Sequence, residues 1–105
     1  MDLSEISKLE SPKVGTLRLS EAIRVGAKIR PQCTGTSFDG VGSCVIGAAY
    51  EAITGKTTPN YGKAWIELSI RGVWPDGLLP YELHFLNDRG KTREQIADIL
   101  EARGL

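Results

Sequence analysis

Residues 79–104 leave little freedom in how this chain can end. Pro80 suits the first position of a helix, where its missing amide is not needed. Leu83, Phe85 and Leu86 follow it, and Gly90 stands where a left-handed residue would end that helix. Thr92 and Gln95 have the capping-box spacing, each side chain reaching the other's backbone amide. Ile96, Ile99 and Leu100 then form an apolar stripe at helical spacing, with Arg103 on the same face. The segment predicts a helical hairpin: helix 80–88, turn 89–91, helix 92–103.

A helix, a glycine turn and a second helix also describe a DNA-reading helix-turn-helix. In that motif the first residues of the second helix meet base edges, which makes Thr92, Arg93 and Gln95 the candidate DNA-binding residues. Arginine pairs well with guanine and glutamine with adenine. Phe85, Ile96 and Ile99 fall on the expected core positions. Leu86, however, stands where a small residue is usual, and Arg89 and Lys91 where apolar residues are usual. The second helix carries Glu94, Asp98 and Glu101 against Arg93 and Arg103. Phosphate neutralisation supplies most non-specific DNA affinity, so a net negative reading helix counts against DNA. DNA binding by residues 80–103 is therefore the alternative, and a hairpin that closes the core is the first expectation.

The chain upstream reads as short elements. Residues 1–15 form an N-terminal segment, flexible or short-helical, in which Leu3, Ile6 and Leu9 sit at spacing three; residues 16–105 form a single helical domain. Ser20 reads as an N-cap, followed by Glu21 at the positive helix end, and Pro31 stops that helix. Residues 31–42 are a loop. Ser43 reads as the next cap, ahead of a small-residue helix ending at Gly55, and Gly47 within it predicts close packing of a neighbouring backbone. Residues 63–71 fit a helix or a strand, with helix favoured by the flanking elements. Residues 72–79 are a turn-rich connector.

At 105 residues with 41% apolar content, the chain can bury a modest core without metal or disulfide support. Thirteen basic and thirteen acidic residues cancel, so no global charge draws it to nucleic acid or to an anionic membrane. No apolar run is long enough to span a bilayer, and the first residues do not read as a secretory signal. The expectation is a cytoplasmic protein with no membrane partner, in which Cys33 and Cys44 stay reduced, although a disulfide between them is compatible with the sequence.

The loop Gly35–Ser43 is glycine-rich and feeds a helix start, an arrangement whose free amides attract anions. Residues 16–31 add Arg18, Arg24, Lys28 and Arg30 against Glu21. Arg24, Lys28, Gly42 and Ser43 are the candidate anion-binding residues. The nucleotide-loop signature is missing, because no lysine follows Gly42 and no strand precedes the loop. A thiol enzyme would need Cys33 or Cys44 activated by a base, and His84 is the one imidazole. Nothing in the spacing brings these together, so no catalytic residue is assigned. Two cysteines eleven residues apart with one distant histidine do not give paired zinc ligands. No metal and no cofactor is expected.

Three blocks resemble small bacterial and phage-associated proteins of unknown function. They are Ala22-Ile23-Arg24-Val25-Gly26 through Arg30-Pro31-Gln32, then Gly42-Ser43-Cys44 through Gly47-Ala48-Ala49-Tyr50-Glu51-Ala52, then Leu86-Asn87-Asp88 with Arg93-Glu94-Gln95-Ile96-Ala97-Asp98. They match the patterns AIR-G---RPQ, GSC--GAA-EA and HLND---REQIAD over about half of the chain. That family pattern includes a paired-cysteine motif before the last hairpin. Residues 73–81 hold no cysteine, so no metal site is implied here. The resemblance implies that the blocks form one compact unit, and it implies no activity.

The sequence thus predicts a mainly α, compact single domain of four or five short helices ending in a helical hairpin. Its expected core is Ile23, Ala27, Val45, Ala48, Ala49, Ala52, Trp65, Leu68, Leu83, Leu86, Ile96, Ile99 and Leu100. The first functional expectation is an interaction or regulatory module without catalysis, with a protein partner. The alternatives are DNA binding by the hairpin and a small-anion or nucleotide site in the 35–43 loop.

Overall fold

Five helices follow one another in the computed structural model, which describes residues 17–105: α1 Leu19–Ala27, α2 Val45–Thr54, α3 Tyr61–Ile70, α4 Pro80–Asp88 and α5 Arg93–Ala102. The expected N-terminal segment 1–15 lies outside the described residues. Among the described residues there is no strand, and the pairings Gln32 with Ser43 and Phe38 with Ser43 are isolated bridges inside the α1–α2 loop. The expected mainly helical domain is what the chain forms, and residues 63–71, open between helix and strand, belong to α3.

Local chemistry sets most boundaries. Asn60 caps α3 by accepting from Gly62 N and Lys63 N. Gly55 ends α2 at φ 73 and Gly90 follows α4 at φ 100, both in the left-handed region that glycine enters without strain. Thr92 Oγ1 accepts from Gln95 N at 3.0 Å while Gln95 Oε1 accepts from Thr92 N at 2.9 Å, the expected reciprocal cap. Two starts differ from the sequence reading. α1 begins at Leu19, whose side chain is fully buried, and the backbone amide of Arg18 donates to Glu21 at 3.0 Å. The Ser20 hydroxyl donates instead to Leu105 O. α2 begins after Cys44, because Ser43 is held in the loop bridge.

α2 is the hub, packed against α1, α3 and α4, while α5 packs on α1 and more lightly on α4. Seven consecutive residues, Val45 to Glu51, are buried, which is the pattern of a helix covered on every side. Glycine allows the closest approaches. A Cβ at Gly26 would stand 1.9 Å from Ala48 O, and one at Gly47 would stand 2.1 Å from Ser37 O. α1 and the α1–α2 loop therefore rest directly on the α2 backbone.

The core contains the expected Ile23, Val45, Ala48, Ala49, Leu68, Leu83, Ile96 and Leu100. Ala52, Trp65 and Leu86 pack on it half-buried, and Ala27 is also half-buried. Ile99, expected inside, is 39% exposed. The sequence reading missed Leu19, Ile46, Tyr50, Val73 and Leu78. Trp74 enters from the connector by donating its indole N–H to Leu78 O at 2.7 Å.

Candidate functional site

Two residues singled out for chemistry in the sequence, Ser43 and Arg93, meet in a polar junction beneath the α1–α2 loop. Arg93, the first residue of α5, is only 4% exposed. One guanidinium nitrogen donates to Ser43 O and Ser43 Oγ, and the other to Ala27 O and Arg30 O at 3.3 and 2.7 Å. A cation meeting the final carbonyl of α1, that of Ala27, is favoured by the helix dipole. Burial pulls the Arg93 guanidinium below its ordinary pKa, and neighbouring Glu94 opposes this. Its Nε atom is buried without a partner.

Asn87 and Gln32 complete the junction. Asn87 is fully buried in the last turn of α4. Its carbonyl oxygen accepts from Val45 N at 2.9 Å and from Gln32 Nε2 at 3.1 Å, and its amide donates to Cys33 O at 2.8 Å. Gln32 also donates to Lys91 O and accepts from Arg93 N. The junction thus ties the end of α1, the start of α2, the end of α4 and the start of α5. A second clamp lies beside it. Arg30 makes a two-pronged pair with buried Glu51, both contacts at 2.7 Å, and its guanidinium lies 5.1 Å from the Phe38 ring centre. The three sequence blocks meet here, contributing Arg30 and Gln32, Ser43 and Glu51, and Asn87 and Arg93.

The candidate DNA-reading residues are engaged in this framework: Arg93 is buried in the junction, and Thr92 and Gln95 are occupied with each other's amides. The candidate anion-binding residues are separated. Arg24 pairs across to Asp98 and Glu101 of α5, and Lys28 is exposed on the turn after α1. Gly42 N and Val41 N both donate to Asp39, which lowers the pKa of that carboxyl. Ser43 N donates to Pro31 O. The loop amides at 41–43 already have acceptors from within the chain.

Cys33 and Cys44 are both buried and unpaired. A helix start favours thiolate, and the amides of Gly47 and Ile46 act in that direction on Cys44. Burial outweighs them and pushes the thiol up to about 11. Burial also raises Cys33. His84 stacks on Tyr61 with ring centres 4.7 Å apart, and its Nε2 lies 3.2 Å from Asp88. Among the described residues no hydrogen bond joins His84 to either thiol, and no three acidic, histidine or cysteine residues gather as a metal site.

The polar junction is occupied by contacts within the chain, and exposed apolar surface lies elsewhere. Between α4 and α5 runs an apolar groove of about 360 Å³, walled by Leu78, Tyr81, Leu83, Phe85, Leu86 and Ile99. Tyr81 is 62% exposed and Phe85 48%. Arg103 and Glu82 line the groove, Glu82 accepting from Leu79 N at the start of α4, and the Arg89 guanidinium lies 4.8 Å from the Phe85 ring centre. Among the described residues neither arginine makes an ion pair, whereas Arg24, Arg30 and Arg71 each do. A signal for the groove was present in the sequence. α4 carries Tyr81 and Phe85 one turn apart on a face different from that of Leu83 and Asn87, more apolar surface than one buried stripe can cover.

These features define a small all-α domain. No family model, no curated protein and no solved structure matches the chain.

Proposed function

We propose that this protein is a non-catalytic interaction module that captures an amphipathic, acidic-flanked helical segment of a partner protein in the α4–α5 groove. The observation that carries the reading is the pairing of exposed Tyr81, Phe85 and Ile99 with two arginines that lack carboxylate partners. Apolar anchors at helical spacing would fill the groove, and carboxylates beside them would meet Arg89 and Arg103. Aromatic residues and arginine are the side chains that most often dominate such contacts. The engagement of Thr92, Arg93 and Gln95 in caps and core supports a protein ligand over DNA.

The test is a fluorescence-polarisation titration with a labelled amphipathic peptide, leucines at helical spacing and glutamates at both ends. Saturable binding is expected. It should be lost in Phe85→Asp, weakened in Arg103→Glu and retained in Ile70→Asp, which alters an exposed apolar site on α3. Binding that ignores Phe85→Asp would overturn the reading. So would a DNA duplex that binds at low salt and perturbs the amides of Thr92 to Ala102, which would restore the helix-turn-helix alternative.

A further inference from the structure

The α1–α2 loop brings together two cysteines that nothing described so far uses. Ser43 N donates to Pro31 O at 2.9 Å and Cys33 N donates to Ser43 O at 3.0 Å. That pattern pairs Gln32 with Ser43 in parallel register. The next residue on each bridged segment is a cysteine, Cys33 beside Cys44. Paired strands run about 4.8 Å apart, inside the ~4.4–6.8 Å Cα separation that a disulfide spans. The faces also agree. A Cβ at Gly42 would lie 3.2 Å from Cys33 Cβ, so the Cys33 side chain stands on the side of the ladder that carries position 42. By the two-residue alternation of extended chain, position 44 shares that side. Gln32 and Ser43 project to the other, toward Asn87 and Arg93.

We infer that Cys33 and Cys44 are a disulfide-forming pair, closed by a hydroperoxide oxidant, that staples the α1–α2 loop over the polar junction. The chemistry balances with a hydroperoxide as the co-reactant. Cys33 is the more exposed thiol, 8% against 0%. Its sulfur attacks the peroxide, the O–O bond breaks, and the sulfur becomes a sulfenic acid, with release of water from hydrogen peroxide or of the alcohol from an organic hydroperoxide. The Cys44 sulfur then displaces the sulfenic oxygen. The S–S bond forms and water carries away the oxygen and the remaining proton. Two thiols are oxidised by two electrons and one peroxide is reduced. Burial holds both thiols protonated, so closure is slow at neutral pH and faster in alkali. The bond would join two loop segments that the bridge and the Asn87 contact to Cys33 O already hold side by side.

The experiment treats the full chain with hydrogen peroxide and measures its intact mass under denaturing, non-reducing conditions. The expected product is a monomer lighter by about 2 Da, the two hydrogens of one disulfide, with no free thiol. Proteolysis should give one fragment pair joined through Cys33 and Cys44. The melting temperature should rise by roughly 10 °C, as expected for closing a short loop in a domain of this size, and fall back with dithiothreitol. Cys33→Ala should give neither the mass change nor the rise. Oxygen addition at separate cysteines, a disulfide-linked dimer, or thiols that survive prolonged alkaline treatment would each overturn the inference. The wild-type mass decides the question even if a variant fails to fold.

Discussion

The junction under the α1–α2 loop and the groove between α4 and α5 invert the usual placing of residue types. In the junction an arginine and an asparagine lie inside, Arg93 and Asn87 at 4% and 0% exposure, with Gln32 half-buried beside them. In the groove a tyrosine, a phenylalanine and an isoleucine lie outside. The first arrangement costs solvation of polar groups, which their hydrogen bonds offset. The second leaves apolar area in water, the surface on which the proposed interaction rests. Residue type alone thus says little about role in this chain, and the partners of each polar atom say much more.

The sharpest way to break that contrast is Arg93→Ala. The Ala27 and Arg30 carbonyls and the Ser43 hydroxyl lose their donor, while Ser43 O keeps Cys33 N. At ~1–3 kcal/mol for each unsatisfied buried group, partly relieved by water, the loss should be roughly 4 kcal/mol in urea denaturation. A variant of wild-type stability would show that the junction does not lock the fold. Gly26→Ala comes next. Its new methyl meets the Ala48 carbonyl, so α1 must lift from α2, at a cost of about 3 kcal/mol. Unchanged stability in that variant would refute the close helix crossing.

A third measurement titrates stability with alkali. The Cys44 thiol is pushed up to about 11 when folded, from an ordinary value near 9. The unfolded chain therefore gives up this proton first as pH rises. Stability from this group is fully present below pH 9 and drains away between pH 9 and pH 11, by about 2 kcal/mol. Cys44→Ala should flatten that part of the pH profile; a slope unchanged in the variant would assign it to other groups. The smallest effect belongs to the groove. Phe85→Asp should move unfolding free energy by no more than ~0.5 kcal/mol, as for a surface change, while abolishing peptide binding. A large destabilisation would place Phe85 in the core and sharpen the contrast against the groove.

Features whose cause lies within a few residues were legible in the sequence. Pro80, Gly55, Gly90 and the Thr92–Gln95 cap all act locally, and each marks the boundary it promised. Gly47 likewise announced a close approach, although not that Ser37 would make it. The junction was not legible, because no periodicity encodes a hydrogen bond between Gln32 and Asn87 or between Arg93 and Arg30. Arg93 in particular looks like any charged first-turn residue beside Glu94. Ile99 was assigned inward because it shares a stripe with Ile96 and Leu100. The stripe is wider than the contact α5 makes, and its outer edge became a wall of the groove.

The reach of the junction along the chain has a consequence for how the molecule comes apart. Its hydrogen bonds join residues separated by 42 positions for Val45 and Asn87, and by 66 for Ala27 and Arg93. None can form until both halves of the chain have met. A state with its helices packed and these bonds absent would hold a guanidinium in an apolar setting with no acceptors, the least favourable place for it. Half-built conformers are therefore penalised either way, by lost packing or by stranded charge. Opening should occur in a single step, with the amides of Val45 and Arg93 exchanging with solvent only when everything else does.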